Sequence, residues 1–204
     1  MLDTIIAITL GYLLGSLPSA YLAGRLVKGI DIREVGSKNM GAMNVIYEVG
    51  VFWGILVLLL DIFKGVGAVL LARSLDTSFG VQLGGGFTAV VGHTFPIFLK
   101  FRGGKGGATA LGLLLFLMPR SFIYCLAIVI LGVLITRNLT FSYSILFLFL
   151  PLAGWLIYRS VTLVVFSLIL ALWIVVNNIP GLRKIKREGF RQSILRRSLK
   201  DRRV

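Results

Sequence analysis

The chain has 204 residues, of which 57% are hydrophobic, and a formal net charge of +14. Its mean hydropathy is +0.92. A soluble domain of this length cannot bury that much apolar surface, so the composition excludes an ordinary soluble protein and predicts one all-α, polytopic integral membrane domain.

Seven apolar runs are candidates for membrane-spanning helices. They cover residues 4–24, 51–72, 80–99, 106–118, 121–136, 139–158 and 161–178. A helical span needs about 20 apolar residues, and the runs lack the alternation of barrel strands. The fourth and fifth runs are short, as tilted or broken helices would be, and six spans is the competing count. We assign residues 1–180 to a membrane-embedded domain and residues 181–204 to a basic tail.

The distribution of Lys and Arg predicts the orientation of these spans. With seven spans and the tail left out, one side of the membrane receives eight basic residues and the other three. The eight are Arg25, Lys28, Arg33, Lys38, Lys100, Arg102, Lys105 and Arg137, and the three are Arg73, Arg120 and Arg159. The positive-inside rule therefore predicts an outside amino terminus and a cytoplasmic carboxyl terminus.

The tail holds ten basic residues between Arg183 and Arg203, directly after the last apolar run. Such a cluster attracts anionic lipid by about 1 kcal/mol per basic residue, and the interspersed apolar residues would suit an interfacial helix. A disordered, topology-setting tail is the alternative. Because the charge lies beside a membrane span, we do not predict nucleic-acid binding.

The first polar stretch, VGSKNMGAMNVIYEVG at residues 35–50, separates two apolar runs. Its glycines let backbone N–H groups turn toward a ligand, and Ser37, Asn39 and Asn44 add neutral donors suited to a phosphate or an alcohol. Capping of the next helix is the competing interpretation, because Ser and Asn are favoured at helix N-termini.

The second polar stretch is VGHTFPIFLKFRGGKGGATALG at residues 91–112. Lys105 stands among four glycines at the start of the fourth run, where backbone amides and a helix N-terminus would attract an anion. The stretch is not a Walker A loop, because no Ser or Thr follows the lysine. A flexible hinge with a topology-setting lysine is the alternative.

His93 is the only histidine and Cys125 the only cysteine. No disulfide, metal site or cofactor is predicted from this inventory. An ionisable group within an apolar run is expected to face a cavity, so His93 is a candidate general base. A neutral imidazole bonded to a backbone carbonyl is the alternative, since Pro96 would break the helix and leave carbonyls available.

Asp61 and Lys64 lie midway through the second run. Residues three apart share a helix face, so the two side chains are expected to pair. Such a pair within an apolar span is a functional-site hypothesis, and a purely structural ion pair is the alternative.

These motifs together carry a family resemblance. VGSKNMGAMNV and GHTFPIFLKFRGGKGGATALG, with LDIFKG and ITRNLT, resemble the bacterial acyl-phosphate:glycerol-3-phosphate acyltransferases between about residues 11 and 145. The resemblance implies transfer of a fatty acyl group from acyl phosphate to the 1-hydroxyl of glycerol 3-phosphate. It also implies phosphate binding by the glycine loop, substrate contacts from the first motif and a reaction at the cytoplasmic surface of the bacterial inner membrane. The candidate acceptors of the hydroxyl proton are His93 and a phosphate oxygen of the substrate.

The candidate site combines the residue patterns with this resemblance. The candidate catalytic residues are Ser37, His93 and Lys105. The candidate substrate-binding residues are Asn39, Gly41, Asn44, Asp61, Lys64, Gly103, Gly104, Gly106, Thr109, Arg137 and Asn178. The expected partners are glycerol 3-phosphate, fatty acyl phosphate, membrane lipids and a soluble enzyme that produces acyl phosphate.

The chain departs from the family pattern at three places. Tyr47 stands where the family usually has an arginine, Val175 stands where it has a histidine, and Glu188 is out of register with an expected glutamate. These departures leave a catalytically silent relative as a second hypothesis. A transporter for a small organic anion, built from glycine-broken helices, is the third.

Overall fold

The computed structural model describes residues 1–136 and 139–188, and throughout these residues the regular structure is helical. The helices are α1 (Leu2–Ser16), α2 (Ser19–Lys28), α3 (Ala42–Glu48), α4 (Val51–Ser74), α5 (Phe79–Thr94), a 3₁₀ helix (Ile97–Leu99), α6 (Gly107–Leu117), α7 (Pro119–Thr136), α8 (Leu139–Tyr158) and α9 (Val161–Glu188). The predicted all-α fold class is confirmed. The chain divides into two compact units, one ending at Leu117 and the other beginning at Met118.

Four segments of the described chain are long and apolar enough to cross a membrane. They are Leu2–Lys28, Val51–Ser74, Pro119–Thr136 and Val161–Pro180. The fourth predicted run forms α6, which has 11 residues. At 1.5 Å per residue it is about half the thickness of a hydrocarbon core. The shortness expected of this run is confirmed, and the total of seven spans stays a prediction.

The first predicted span, residues 4–24, lies within the candidate span Leu2–Lys28, but it forms two helices instead of the expected one. Helix α1 ends at Ser16, and Leu17 turns to φ −57° and ψ 122°. The reason is Pro18, which lacks an N–H group and disfavours a helical residue before it. Helix α2 begins immediately afterwards at Ser19.

The third predicted span, residues 80–99, is wrong in its last five residues. Helix α5 ends at Thr94, and Phe95 takes φ −124° and ψ 67° before Pro96. The chain then forms only a single short 3₁₀ turn. His93 therefore lies in the last turn of α5, beside the polar loop.

Small residues bring the helices of the first unit into close contact. A Cβ at Gly15 of α1 would lie under 3.0 Å from Ala89 of α5, and one at Gly65 of α4 would do the same at the carbonyl of Thr109 in α6. Backbone approach of this kind replaces the hydrophobic driving force that lipid removes. It fixes the positions of α4, which carries Asp61 and Lys64, and of α5, which carries His93.

The second unit contains α7, α8 and α9. Helix α8 packs against both of its neighbours. The buried Ser167 hydroxyl of α9 donates to the Met118 sulfur at 3.8 Å.

Candidate active site

The opening loop between α2 and α3 is anchored by a buried apolar cluster. Its buried members are Ala20, Ala23, Ile32, Met40, Val45, Val49, Val57 and Leu99. They come from α2, the loop, α3, α4 and the 3₁₀ helix, so one cluster holds both polar stretches. Burying such side chains contributes about 1.5–3 kcal/mol for each large one. The loop is therefore a packed part of the fold.

Asn44 organises the opening loop from within. Its Oδ1 accepts the Ser37 N–H at 2.9 Å, and its Nδ2 donates to the carbonyls of Ile32 at 2.8 Å and Val35 at 3.2 Å. The side chain is buried. These bonds satisfy backbone groups that would otherwise be costly to bury, and they fix the Ser37 backbone. A direct substrate contact from Asn44 stays a prediction.

Two arginines connect the opening loop to the second polar stretch. Arg33 pairs with Asp31 at 2.7 Å and donates to the Leu99 carbonyl at 3.1 Å. Arg102 pairs with Glu34 at 3.1 Å across the surface. The hydrogen bonds from Arg33 lower the pKa of the Asp31 carboxyl to about 2. These contacts hold the two loops side by side.

The glycine loop is held by carbonyls at the end of α5. The Gly103 N–H donates to the Thr94 carbonyl at 3.1 Å, and the Gly104 N–H donates to the His93 carbonyl at 3.0 Å. These carbonyls are available because the helix ends ahead of Pro96. The expectation that Pro96 would leave carbonyls available is confirmed.

Gly104 is the point where the two polar stretches meet. A Cβ there would lie 2.6 Å from the Met40 carbonyl oxygen of the opening loop, and under 3.0 Å from Nε2 of His93. Only a residue without a side chain allows both contacts. The glycine is therefore required by close approach.

Lys105 follows Gly104 and is partly buried. Burial lowers the pKa of its ammonium group below the usual 10.5. The next residue, Gly106, has φ +81°, and α6 begins at Gly107. Lys105 thus lies two residues before the first residue of α6, close to a helix N-terminus as the sequence predicted.

Asp61 and Lys64 form the predicted pair, with 2.7 Å between Oδ1 and Nζ. Both side chains are nearly inaccessible to solvent. Ser19 completes the group, because its Oγ lies 2.5 Å from the Asp61 carboxylate and 3.0 Å from Lys64 Nζ. Lys64 also donates to the carbonyl of Leu17. The break at Pro18 therefore supplies two partners to the ion pair.

Ser19 was missed by sequence reasoning. It lies 42 residues from Asp61 along the chain. The available signal was the hydroxyl directly after a proline inside an apolar run, where a freed helix end collects polar partners.

The remaining candidate residues are Thr109, Asn178 and Arg137. Thr109 is buried in α6, and among the described residues its hydroxyl has no hydrogen-bond partner. Asn178 belongs to the second unit and donates to the Ile174 carbonyl of its own helix at 2.8 Å. Arg137 and residues 189–204 of the basic tail lie outside the described residues. Substrate contacts from Thr109, Asn178 and Arg137 stay predictions.

Fold and site together define a class: a helical membrane protein with a buried ion pair and with a glycine loop whose N–H groups donate to carbonyls at a proline-broken helix end. The sequence profile described as glycerol-3-phosphate acyltransferase matches residues 5–187. The chain belongs to this family.

Individual relatives and solved structures agree with this assignment. A glycerol-3-phosphate acyltransferase 2 of Dehalococcoides mccartyi is 44% identical over 206 residues, covering 99% of this chain and 98% of the relative. A glycerol-3-phosphate acyltransferase of Bacillus subtilis is 37% identical, covering 87% and 91%. The crystal structure of PlsY (YgiH), an integral membrane glycerol 3-phosphate acyltransferase in its glycerol 3-phosphate form, is similar with a TM-score of 0.85. It is 28% identical, and the match covers 91% of this chain and 92% of that one. The chain is accordingly a multi-pass membrane protein.

Proposed function

We propose that this chain transfers a fatty acyl group from acyl phosphate to the 1-hydroxyl of glycerol 3-phosphate and so forms lysophosphatidic acid, the first step of phospholipid synthesis. The main observation in support is the close approach of the two polar loops at Gly104, beside His93 and Lys105. Solved structures of the similar PlsY are described as its glycerol 3-phosphate and lysophosphatidic acid forms, which support the same acceptor and product.

The reaction needs positioning more than activation. The acceptor oxygen attacks the acyl carbonyl carbon, a new C–O ester bond forms, and the bond from that carbon to the phosphate oxygen breaks. Inorganic phosphate leaves with the electron pair, and the hydroxyl proton passes to a base. Because phosphate is a good leaving group, orientation and anion stabilisation supply most of the rate acceleration.

Lys105 and the amides of the glycine loop are the proposed phosphate ligands. An ammonium group bonded to a phosphate oxygen is a charge-assisted contact, worth about 1.5–3 kcal/mol. Bound phosphate would also favour the charged form of Lys105, whose pKa burial lowers. Gly103 and Gly106 let the loop backbone approach the anion without side-chain obstruction.

Ser37, Asn39 and Gly41 are the proposed contacts to the attacking glycerol and to the oxyanion. Ser37 is exposed on the opening loop, and its backbone N–H is fixed by Asn44. His93 is the proposed acceptor of the hydroxyl proton, since its ring lies directly against Gly104. No acyl-enzyme intermediate is needed for this sequence of steps.

The proposed location of the reaction is the cytoplasmic face of the bacterial inner membrane. The basic loops that predict an outside amino terminus and a cytoplasmic carboxyl terminus are the same loops that carry the site. The acyl chain enters from the lipid, and a soluble enzyme would deliver acyl phosphate. Reporter fusions to both termini test this orientation, and termini on the same side would refute it.

The deciding experiment compares two donors on one purified sample. Protein in lipid nanodiscs is given glycerol 3-phosphate with acyl phosphate or with acyl-CoA of the same chain length, and lysophosphatidic acid is quantified. We expect product from acyl phosphate only. His93 lacks the aspartate five residues later that thioester-using acyltransferases pair with histidine, because Phe98 occupies that position.

Either of two other results would overturn the proposal. Comparable turnover with acyl-CoA would refute the donor assignment. Absence of turnover with both donors, in protein that unfolds cooperatively on heating, would favour the catalytically silent relative.

A further inference from the structure

An apolar groove lies on the surface of the second unit, between α7 and α8. It has a volume of about 310 Å³, and Tyr124 and Ile128 of α7 line it together with Phe149, Ala153 and Leu156 of α8. The side chains of Phe149 and Leu156 are 53% and 56% exposed. An exposed apolar groove of this kind is typical of a surface that binds a lipid, a ligand or another protein.

A contact between helix ends defines one end of the groove. The Arg120 N–H, at the start of α7, donates to the Tyr158 hydroxyl, at the end of α8, at 3.0 Å. The two helices are therefore antiparallel, and Arg159, which follows Tyr158, lies at the same end as Arg120. Because residues four apart share a helix face, Arg120 continues the row formed by Tyr124 and Ile128.

Aromatic side chains indicate the depth of this end in the membrane. Trp155 and Tyr158 lie in the last turn of α8, and Trp155 is 47% exposed. The guanidinium carbon of Arg159 lies 5.9 Å from the centroid of the Trp155 ring, which is a cation–π contact. Trp and Tyr are enriched at membrane–water interfaces. This end of the groove is therefore expected at the level of the lipid headgroups.

The positive charges at this end call for an anionic partner. Arg120 and Arg159 are both exposed. Residues 118–187 contain neither Asp nor Glu, so no carboxylate from this stretch of the chain neutralises them. They are also two of only three basic residues that the sequence assigns to the side poor in Lys and Arg. A guanidinium group binds phosphate with good geometry, because its N–H donors can engage two oxygens at once.

The length of the groove matches one leaflet of a bilayer. Phe149 precedes Arg159 by ten residues, which corresponds to about 15 Å of helix at 1.5 Å per residue. The hydrocarbon core of a bilayer is about 30 Å thick, so the groove extends from the headgroup level to about the bilayer centre. An acyl chain of a phospholipid in a single leaflet follows the same path.

We propose that this groove binds one anionic phospholipid. Its acyl chain lies between α7 and α8, and its phosphate is held by Arg120 and Arg159. The site is separate in sequence from the candidate catalytic residues, and the inference does not rest on the proposed acyl transfer. The charges at the end of the groove distinguish such a lipid from the zwitterionic lipids that surround any membrane helix.

The test is native mass spectrometry of the full-length protein released from detergent micelles. The protein is titrated with phosphatidylglycerol or with phosphatidylcholine of the same acyl chains, and the lipids that stay bound are counted. We expect one phosphatidylglycerol to bind at least tenfold more tightly than phosphatidylcholine. A lipid attracted by the basic tail is common to the parent protein and all variants, so each variant is compared with the parent.

Arg120→Gln and Arg159→Gln remove the headgroup contacts one at a time. Each is expected to weaken phosphatidylglycerol binding at least fivefold. Arg73→Gln is the matched control, because Arg73 is exposed in the last turn of α4 and is the third basic residue of the same predicted side. It loses the same charge away from the groove, and its affinity should stay within twofold of the parent.

Ala153→Phe tests the apolar part of the site. The larger side chain would fill the groove while both arginines remain, so the variant is expected to retain one phosphatidylglycerol fewer than the parent. The arginine variants change exposed side chains, and they decide the matter even when Ala153→Phe does not fold.

Four results would overturn the proposal. Equal retention of the two lipids would reduce the groove to ordinary lipid contact, and an equal loss in Arg73→Gln would reduce the effect to general charge attraction. Unchanged phosphatidylglycerol binding in Ala153→Phe, with a raised KM for acyl phosphate, would give the groove to the acyl chain of the substrate. A lipid-free dimer that Ala153→Phe dissociates would give it to a second copy of the chain.

Discussion

Gly104→Ala is the sharpest test of the way the site is assembled. The added methyl group would lie 2.6 Å from the Met40 carbonyl oxygen, whereas ordinary contact begins at 3.4 Å. The difference, 3.4 minus 2.6, is 0.8 Å, and it must come from movement of the opening loop, the glycine loop or both. The methyl group would also press on the ring of His93.

The expected magnitude follows from that displacement. Overpacking of a well-packed site costs about 1–3 kcal/mol. Misplacing reacting groups by about 1 Å can lower a rate by about 10²-fold. We therefore expect kcat/KM for glycerol 3-phosphate to fall by about 10- to 100-fold.

Gly80→Ala is the matched control for this substitution. A Cβ at Gly80 meets nothing within 4 Å, and the residue lies in the first turn of α5. The change should leave activity unaltered and raise stability slightly, by up to about 1 kcal/mol, since Ala is the better helix former. Phosphate release and thermal unfolding are measured for both variants in nanodiscs. A folded Gly104→Ala protein with activity within twofold of the parent would refute the close-approach reasoning.

Three further predictions concern two charged residues and one departure from the family pattern. Lys105→Ala should lower kcat/KM at least tenfold, equivalent to about 1.4 kcal/mol. Burial lowers the pKa of Lys105, so its ammonium group should lose its proton at alkaline pH and KM for glycerol 3-phosphate should rise there. In steady-state assays, Lys105→Arg should move this rise in KM to higher pH. The pKa of Asp31 is lowered from 3.8 to about 2, so its ionised form adds stability above pH 3.8 that is lost as pH falls to about 2. Thermal unfolding of Asp31→Asn should lack that part of the acid dependence, and an unchanged profile would contradict it. Tyr47→Arg should preserve or raise activity, because it restores the cation that the family has at this exposed position of α3. Loss of activity in a folded Tyr47→Arg protein would instead show that Tyr47 has a role of its own.

The local features of the fold were predictable from the sequence. Apolar runs identified the long helices, and the three-residue spacing of Asp61 and Lys64 predicted their contact. Pro96 predicted freed carbonyls near the glycine loop. Each of these follows from neighbours within one or two helical turns, where backbone geometry is the same in every helix.

The long-range features were not predictable in the same way. Ser19 reaches Asp61 across 42 residues, and Arg33 reaches the Leu99 carbonyl across 66. Asn44 looked like a ligand-binding amide, yet its described bonds are to the loop's own backbone. Composition identifies such polar groups, but only tertiary packing decides whether a partner is protein or substrate.

Two of the three departures from the family pattern, Tyr47 and Val175, can be compared with these contacts. The loop contacts at Gly104 depend on backbone atoms and on a glycine that the chain retains. Tyr47 is 41% exposed on α3, and Val175 lies on α9 in the second unit. Neither contributes to the hydrogen bonds that fix the glycine loop. The family resemblance implies that an arginine at position 47 would bind phosphate. Losing such a contact weakens ground-state binding, which is observed as a higher KM. We therefore expect this chain to retain acyl-transfer chemistry with a raised KM for glycerol 3-phosphate. Because the framework that orients His93 and Lys105 is intact, a loss confined to kcat would contradict that expectation.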